Sequence, residues 1–412
     1  MSHGTAQSVV ARRRLRARLD RAVGAMPEQP ATPTYVVELD AFDANAADLA
    51  RRAHGKPIRV ATKSLRVPSL IRRVVTTPGF RGLLSYDLRE ALWLSEQGVS
   101  DDIVMGYPTV DAVALRRLTA PSAASSAARA AVTLMVDDVA QLDLVDSVRS
   151  CAEPVRVALD VDAGLQVGPA HLGPKRSPLR EPGDVAALAA QLVRRHGFDL
   201  VGVMTYEGQV AGVPDRVPGH RLRSSAVRRV KAASVTQLAE RRAAVDAALR
   251  EVGGIGFWNA GGSGSLESSA ADPVVTEVTA GSGLLVPALF DHYASFDPRP
   301  AAFFGLRVVR RASPRTVTVA GGGLVASGPT GADRSPLPWA PPGLRLTRLE
   351  GAGEVQTPLT GIGAAALGIG DLVWFRHAKA GEVAEHVTEA HLLSGDSIVD
   401  VVPTYRGTGN AW

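Results

Sequence analysis

Lys63 closes the apolar run Ile58–Thr62 and is followed by Ser64. A lysine at the end of a buried strand is poorly solvated, which favours the neutral amine, the form that condenses with an aldehyde. Alternatively, a single lysine at such a place snorkels to solvent or pairs with a carboxylate. Two glycine–serine stretches lie late in the chain: Gly261-Gly262-Ser263-Gly264-Ser265 after Trp258-Asn259-Ala260, and Gly281-Ser282-Gly283 after Thr279-Ala280. Glycine lets successive backbone N–H groups turn toward one anion, and serine adds hydroxyl donors. A flexible turn has the same composition, so the weight lies in finding two such stretches at consecutive strand ends.

The elements that position these residues follow from hydrophobic patterning. Residues 27–34 (PEQPATPT) read as an extended linker, since proline biases its predecessor away from helix. Short apolar runs then alternate with amphipathic stretches. The strand candidates are Tyr35–Leu39, Ile58–Thr62, Gly82–Tyr86, Ile103–Gly106, Thr133–Val136, Val155–Val161, Leu200–Tyr206, Phe257–Ala260 and Val274–Thr279. The helical patterns between them include Ala41–Ala53, Asp87–Gln97, Val185–His196 and Ala226–Val252. This rhythm predicts parallel strands with helical crossovers, and eight or so of them within ~250 residues predict a closed (β/α)8 barrel of TIM type. A doubly wound open sheet is disfavoured because no Gly-x-Gly-x-x-Gly follows the first strand. From Ala302 the pattern changes to Phe304–Ala312, Thr316–Val319, Leu344–Leu349, Glu354–Thr357 and Leu372–Phe375 with Gly/Pro-rich connections, which predicts an all-β domain. Gly321–Gly323 and Ser335–Pro342 read as surface turns. The expected α/β architecture is therefore an N-terminal helix and linker (1–31), a barrel (32–297) and a C-terminal β-domain (298–412). Barrel active sites lie at the C-terminal strand ends, often with a phosphate site after strands 7 and 8. An early-strand lysine with late-strand anion loops suits pyridoxal phosphate: the lysine takes the aldehyde and the loops hold the phosphate.

Composition narrows the classes. The chain has 412 residues, 45% hydrophobic and 21% charged, a globular balance. Its 46 Lys+Arg against 41 Asp+Glu leave +5, too small and scattered an excess to indicate nucleic acid. Aromatics are few, at 5%, so stacking surface for single strands is scarce. The single cysteine, Cys151, excludes an intrachain disulfide or a multi-cysteine metal site and fits a reducing cytoplasm. No run of 18 apolar residues predicts a membrane span. Arg12, Arg13, Arg14, Arg16, Arg18 and Arg21 alternate with Leu15, Leu19 and Val23 at helical spacing; an amphipathic leading helix is expected, with no apolar segment that would make it a secretory signal.

Thr32-Pro33-Thr34-Tyr35-Val36-Val37-Glu38-Leu39-Asp40, Asn45 and Arg59-Val60-Ala61-Thr62-Lys63-Ser64 resemble the opening of fold-type III pyridoxal-phosphate enzymes. The barrel is similar to the alanine racemase-like barrel used by D-threonine aldolases and eukaryote-type D-serine dehydratases. The likeness continues through Asp160–Gly164, Thr205-Tyr206-Glu207-Gly208-Gln209, Gly261–Gly264 and Glu277–Gly283 with Phe290-Asp291. It implies that Lys63 forms the Schiff base with the cofactor and acts as base at Cα once substrate releases it. It also implies that Gly262, Ser263 and Gly264, with Gly281, Ser282 and Gly283, form the phosphate cup, and that Tyr206 lies beside the pyridine ring. No arginine follows the strand runs near Asp162 or Tyr206, so a neutral pyridine is expected.

In the aldolase and dehydratase relatives, a histidine followed two residues later by Cys or Asp holds a divalent metal on the substrate's β-hydroxyl. The matching place here reads Arg376-His377-Ala378-Lys379. An ammonium cannot ligate a metal, so the expectation is no metal unless Glu382, His386 or His391 substitutes. Lys379 then supplies the positive charge and His377 meets the β-hydroxyl as acid or base. The resemblance thus implies a lyase for a D-configured β-hydroxy amino acid, by dehydration and deamination or by retro-aldol cleavage, with dehydration favoured. The alternative is an amino-acid racemase or epimerase. After Tyr293 the only tyrosine that could serve as a second base is Tyr405. A homodimer, a small amino-acid substrate, and neither nucleic-acid nor membrane partners complete the expectation.

Overall fold

The computed structural model describes residues 8–295 and 299–412. The first strand, β1 (Thr34–Glu38), is followed by the barrel strands β2 (Ile58–Ala61), β3 (Phe80–Ser85), β4 (Ile103–Met105), β5 (Val132–Val136) and β6 (Val155–Asp160). A short antiparallel hairpin, β7 (Leu165–Val167) and β8 (Ala170–Leu172), interrupts the series before β9 (Phe198–Thr205), β10 (Phe257–Ala260) and β11 (Glu277–Ala280) complete it. The eight strands close in the order β10-β11-β2-β3-β4-β5-β6-β9, all parallel. Closure leaves no edge to pair with another chain. Val104, Met135, Ala158 and Met204 pack as one apolar cluster, with Leu84 and Phe257 against it.

A polar network runs through the barrel alongside that core. Arg59, buried on β2, binds Glu277 bidentately (Nε–Oε1 2.8 Å, Nη2–Oε2 2.7 Å) and Asp102 (Nη1–Oδ1 2.9 Å). Asn259 donates to Glu277 and accepts from Thr279. Every charge in this cluster is paired and hydrogen-bonded, as burial requires.

The chain folds as two compact units. One, residues 47–63, 71–281 and 412, contains the barrel. The other, residues 1–46, 64–70 and 282–411, carries a nine-stranded mixed sheet. Its further strands are β12 (Ala302–Ser313), β13 (Thr316–Ala320), β14 (Leu337–Ala340), β15 (Arg345–Leu346), β16 (Gln356–Thr360), β17 (Leu372–Arg376), β18 (Glu389–Ser394) and β19 (Ser397–Pro403). The main path is β15-β16-β13-β12-β1-β18-β19, with β17 joining β12 to β14.

Three expectations change. β1, read as a barrel strand, lies in this sheet, antiparallel to β12 and parallel to β18, so the barrel begins one strand later. Its run is buried along almost its whole length, the same pattern a barrel strand shows. Residues 335–342, read as a surface turn, contain β14; Pro338 is tolerated because this strand pairs with β17 alone in the sheet. β18 and β19 were not among the expected strands. The boundary expected at 297/298 lies outside the described residues.

The arginine-rich helix Val9–Gly24 packs an apolar face of Leu15, Leu19, Ala22 and Val23 on Val36, Phe303, Trp339 and Trp374. Arg12 lies 4.5 Å above the Trp339 ring, Asp20 accepts from Trp374 Nε1 at 2.8 Å, and Arg18 pairs with Glu38. Several of its cations are thus spent on the sheet of its own unit. Among the described residues, no helix is long and apolar enough to cross a membrane.

Candidate active site

β2 runs out at Ala61, and a single 3-10 turn, Thr62–Ser64, places Lys63 at the C-terminal end of the strand. Lys63 is half-buried, and its Nζ lies 2.5 Å from the Tyr107 hydroxyl. Tyr107 follows β4 directly after Gly106, so two strand ends separated by β3 supply the pair. The Arg176 guanidinium sits 5.5 Å from the Tyr107 ring centre and 5.6 Å from the Tyr206 ring centre. Burial of the Tyr107 phenol opposes ionisation. The charges of Lys63 and Arg176, with their hydrogen bonds, outweigh burial, and its pKa falls below the ordinary value. Tyr206 moves the other way: burial first, then Glu207 and Tyr107, push its pKa up to about 12.

Arg176 was not among the residues expected at this site. The hairpin β7–β8 and the loop after it bring residue 176 back over Tyr206, although no arginine stands near either strand end in the sequence. Asp160, Asp162, Ser177 and Pro174 line the same recess with Arg176 and Tyr206. Asp162 is held by His171 Nε2 at 3.0 Å and by Arg180. Burial, with Asp137 beside it, raises the Asp160 pKa to about 7.

The glycine–serine loop after β10 is held from two sides. Buried Glu207 accepts from Ser265 Oγ (2.7 Å), from Ser269 Oγ and from Gly261 N (3.3 Å). It also pairs with buried Arg242 at 3.1 Å, which in turn binds Asp272 at 3.1 Å. From the other side, buried Arg52 donates to the Ser263 carbonyl (2.8 Å) and pairs with Glu267 (2.6 Å). Gly261 adopts φ +88°, and a Cβ at Gly262 would come within 3.1 Å of the Ala211 methyl and 3.4 Å of the Tyr206 ring. Glycine thus supplies the left-handed conformation at 261 and relieves crowding at 262. Ser263 Oγ accepts from Gly281 N at 3.3 Å, joining the loops after β10 and β11.

The remaining expected residues belong to the other unit. Ser282 opens the turn Ser282–Leu285 that contains Gly283, and its hydroxyl lies 3.1 Å from that of Ser64. His377 and Lys379 follow β17. His377 Nδ1 lies 2.7 Å from the Lys379 carbonyl, a spacing that fits Nδ1–H donating to it. Burial lowers the His377 pKa, which favours the neutral ring. The Lys379 ammonium donates to Ser327 Oγ (2.8 Å) and lies 3.7 Å from Glu382. Both residues line a pocket with Tyr35, Pro287, Phe303 and Val383. Of the substitute ligands considered, His391 is fixed to the Tyr35 carbonyl at 3.1 Å. Among the described residues no three His, Cys, Asp or Glu side chains gather as metal ligands. Tyr405 is fully buried, with its amide on the Arg66 carbonyl.

Sequence reasoning missed Tyr107, Arg176, Arg52, Glu207 as a loop anchor, and Arg242. Tyr107 and Glu207 had a signal, each a polar residue immediately after an expected strand run.

A parallel eight-stranded barrel with a lysine at one strand end, joined in one chain to a mostly antiparallel sheet, defines the fold-type III class of pyridoxal-phosphate enzymes. A model of the alanine racemase N-terminal domain matches residues 37–287, and the chain belongs to that family. It is 28% identical over 254 residues to a D-threonine aldolase from an Arthrobacter species, a match spanning 61% of this chain and 60% of that protein. In fold it is similar to the D-threonine aldolase of Filomicrobium marinum, with TM-score 0.73 and 20% identity over 92% of this chain and 95% of that one. It is likewise similar to the D-threo-3-hydroxyaspartate dehydratase of Delftia sp. HT23, with TM-score 0.65 and 21% identity over 91% and 97%.

Proposed function

We propose that the protein is a pyridoxal-phosphate-dependent lyase acting on a D-configured β-hydroxy amino acid, with Lys63 as the amine that bonds the cofactor aldehyde. The observation that carries this reading is Lys63 at a strand end of a barrel whose glycine–serine loop is clamped by Arg52 and Glu207. The residues fit the cofactor. Gly262 keeps clear a space that a side chain would fill against Tyr206, and the hydroxyls and amides of Ser263, Gly264 and Gly281 are of the donor type a phosphate takes. Tyr206 offers an aromatic face. Bound there, pyridoxal phosphate supplies an electron sink that acidifies the substrate Cα–H.

Lys63 Nζ then moves the Cα proton. His377 serves as acid or base for the β-hydroxyl, and Lys379 brings the positive charge that a metal would otherwise bring. The names of the relatives, an aldolase and a dehydratase of D-configured β-hydroxy amino acids, support the substrate class. Between the two reactions we favour water elimination, and we read the enzyme as a homodimer of the cytoplasm.

A panel of D- and L-amino acids tests the reading. D-serine and D-threonine should yield a 2-oxo acid and ammonia, the L-forms nothing, and a chelator should leave the rate unchanged. Aldehyde and glycine from D-threonine would assign retro-aldol cleavage instead. Solvent deuterium entering Cα with inversion and no loss of amino acid would assign racemisation.

A further inference from the structure

The reading above leaves Tyr107 without a role, although its hydroxyl is 2.5 Å from Lys63 Nζ and that Nζ lies 5.1 Å from its ring centre. The titratable groups facing it are Lys63, Arg176 and the Tyr206 phenol. One guanidinium stands beside both phenols, yet they diverge. Burial governs Tyr206 and holds its proton on. At Tyr107 burial is outweighed by two cations, and the proton comes off more readily than usual.

We propose that Tyr107 is the acid–base partner of Lys63, passing one proton between its Oη and the lysine Nζ whenever that nitrogen changes between charged and neutral forms. The exchange converts ammonium and phenolate into amine and phenol. An N–H bond breaks, an O–H bond forms, and the pair's net charge stays at zero. No unpaired charge is left in a half-buried site, which is the condition for such an exchange to be inexpensive there. Arg176 tunes the pair by favouring the phenolate. Tyr206, with its proton held, serves as an aromatic surface and takes no part in the exchange. The inference rests on Lys63 being the amine that meets the cofactor aldehyde.

Two measurements on the full-length chain test it. The first is a near-ultraviolet difference titration of tyrosinate with bound aldehyde removed. One of the six tyrosines should ionise below the ordinary value of 10.0. That ionisation should vanish in Tyr107→Phe, persist in Tyr206→Phe, and move upward in Lys63→Met and Arg176→Ala. The second is the rate at which added pyridoxal phosphate becomes trapped at Lys63 by borohydride, followed against pH. Tyr107→Phe should be slower by on the order of 10²-fold near neutral pH and converge on the wild type in alkali. A Tyr107→Phe protein with the wild-type titration, or with the wild-type trapping rate at every pH, overturns the proposal. A wild type that is never trapped at Lys63 overturns the cofactor assignment, while the titration still decides whether Tyr107 and Lys63 share a proton.

Discussion

Lys63 in the barrel unit and Lys379 in the sheet unit are both half-exposed lysines just past a strand, but their partners differ. Lys379 meets Ser327 and Glu382. Burial would raise the Glu382 pKa, but the hydrogen bonds from Ser327 and the charge of Lys379 outweigh it and bring it down. That is an ordinary ion pair, complete within its own loop. Lys63 has a phenol as a hydrogen-bond partner, whereas Glu207 under the glycine–serine loop and Glu277 inside the barrel are each engaged by a buried arginine. The barrel thus spends its strong ion pairs on fixing backbone and leaves its lysine beside a group able to exchange a proton. The two lysines are alike in burial and differ in the kind of partner each has.

Removing a clamp should have the largest effect. Glu207→Gln leaves Arg242 with Asp272 as its one carboxylate, beside its bonds to Thr205, and weakens the hold on Gly261, Ser265 and Ser269. Breaking a buried pair from one side costs about 3 kcal/mol or more. We expect a loss of that size in urea unfolding, with weaker pyridoxal-phosphate retention in the folded fraction. An unchanged midpoint would mean the clamp is not under tension from burial.

Asp160→Asn should act in the opposite direction and depend on pH. The folded pKa, about 7, lies above the ordinary 3.8, so the native state binds the extra proton. Its contribution to stability is whole below pH 4 and lost progressively as pH rises to about 7. The amide cannot ionise, so the variant should match the wild type at pH 4 and exceed it by about 4 kcal/mol at pH 8. Equal gains at both pH values would show that charge burial is not the cause.

Lys379→Met should be the mildest for folding. Exposed pairs contribute roughly 0–1 kcal/mol, so the unfolding midpoint should barely move. Turnover of a D-β-hydroxy amino acid should nevertheless fall about tenfold or more if this ammonium meets the substrate. Unchanged turnover would confine Lys379 to its contact with Ser327 and Glu382.

The eight barrel strands were legible because parallel strands buried on both faces leave continuous apolar runs, and Lys63 because it ends one of them. β1 carried the same signature, and only its pairing with residues some 270 positions away, such as Tyr35 with Phe304, assigns it to the other sheet. Arg176 was invisible because a hairpin, with no hydrophobic rhythm of its own, carries it back over Tyr206. Arg52, Glu207 and Arg242 look like surface charges in a list of residues. They become anchors only because helix and strand ends converge under one loop, which no local spacing records.

Reduction with borohydride in the presence of pyridoxal phosphate, followed by peptide mapping, tests the central claim most directly. One pyridoxyl group per chain is expected, on Lys63, and it should be lost in Lys63→Ala. A colourless protein whose residue 63 stays unmodified, or a label spread over surface lysines, would contradict it.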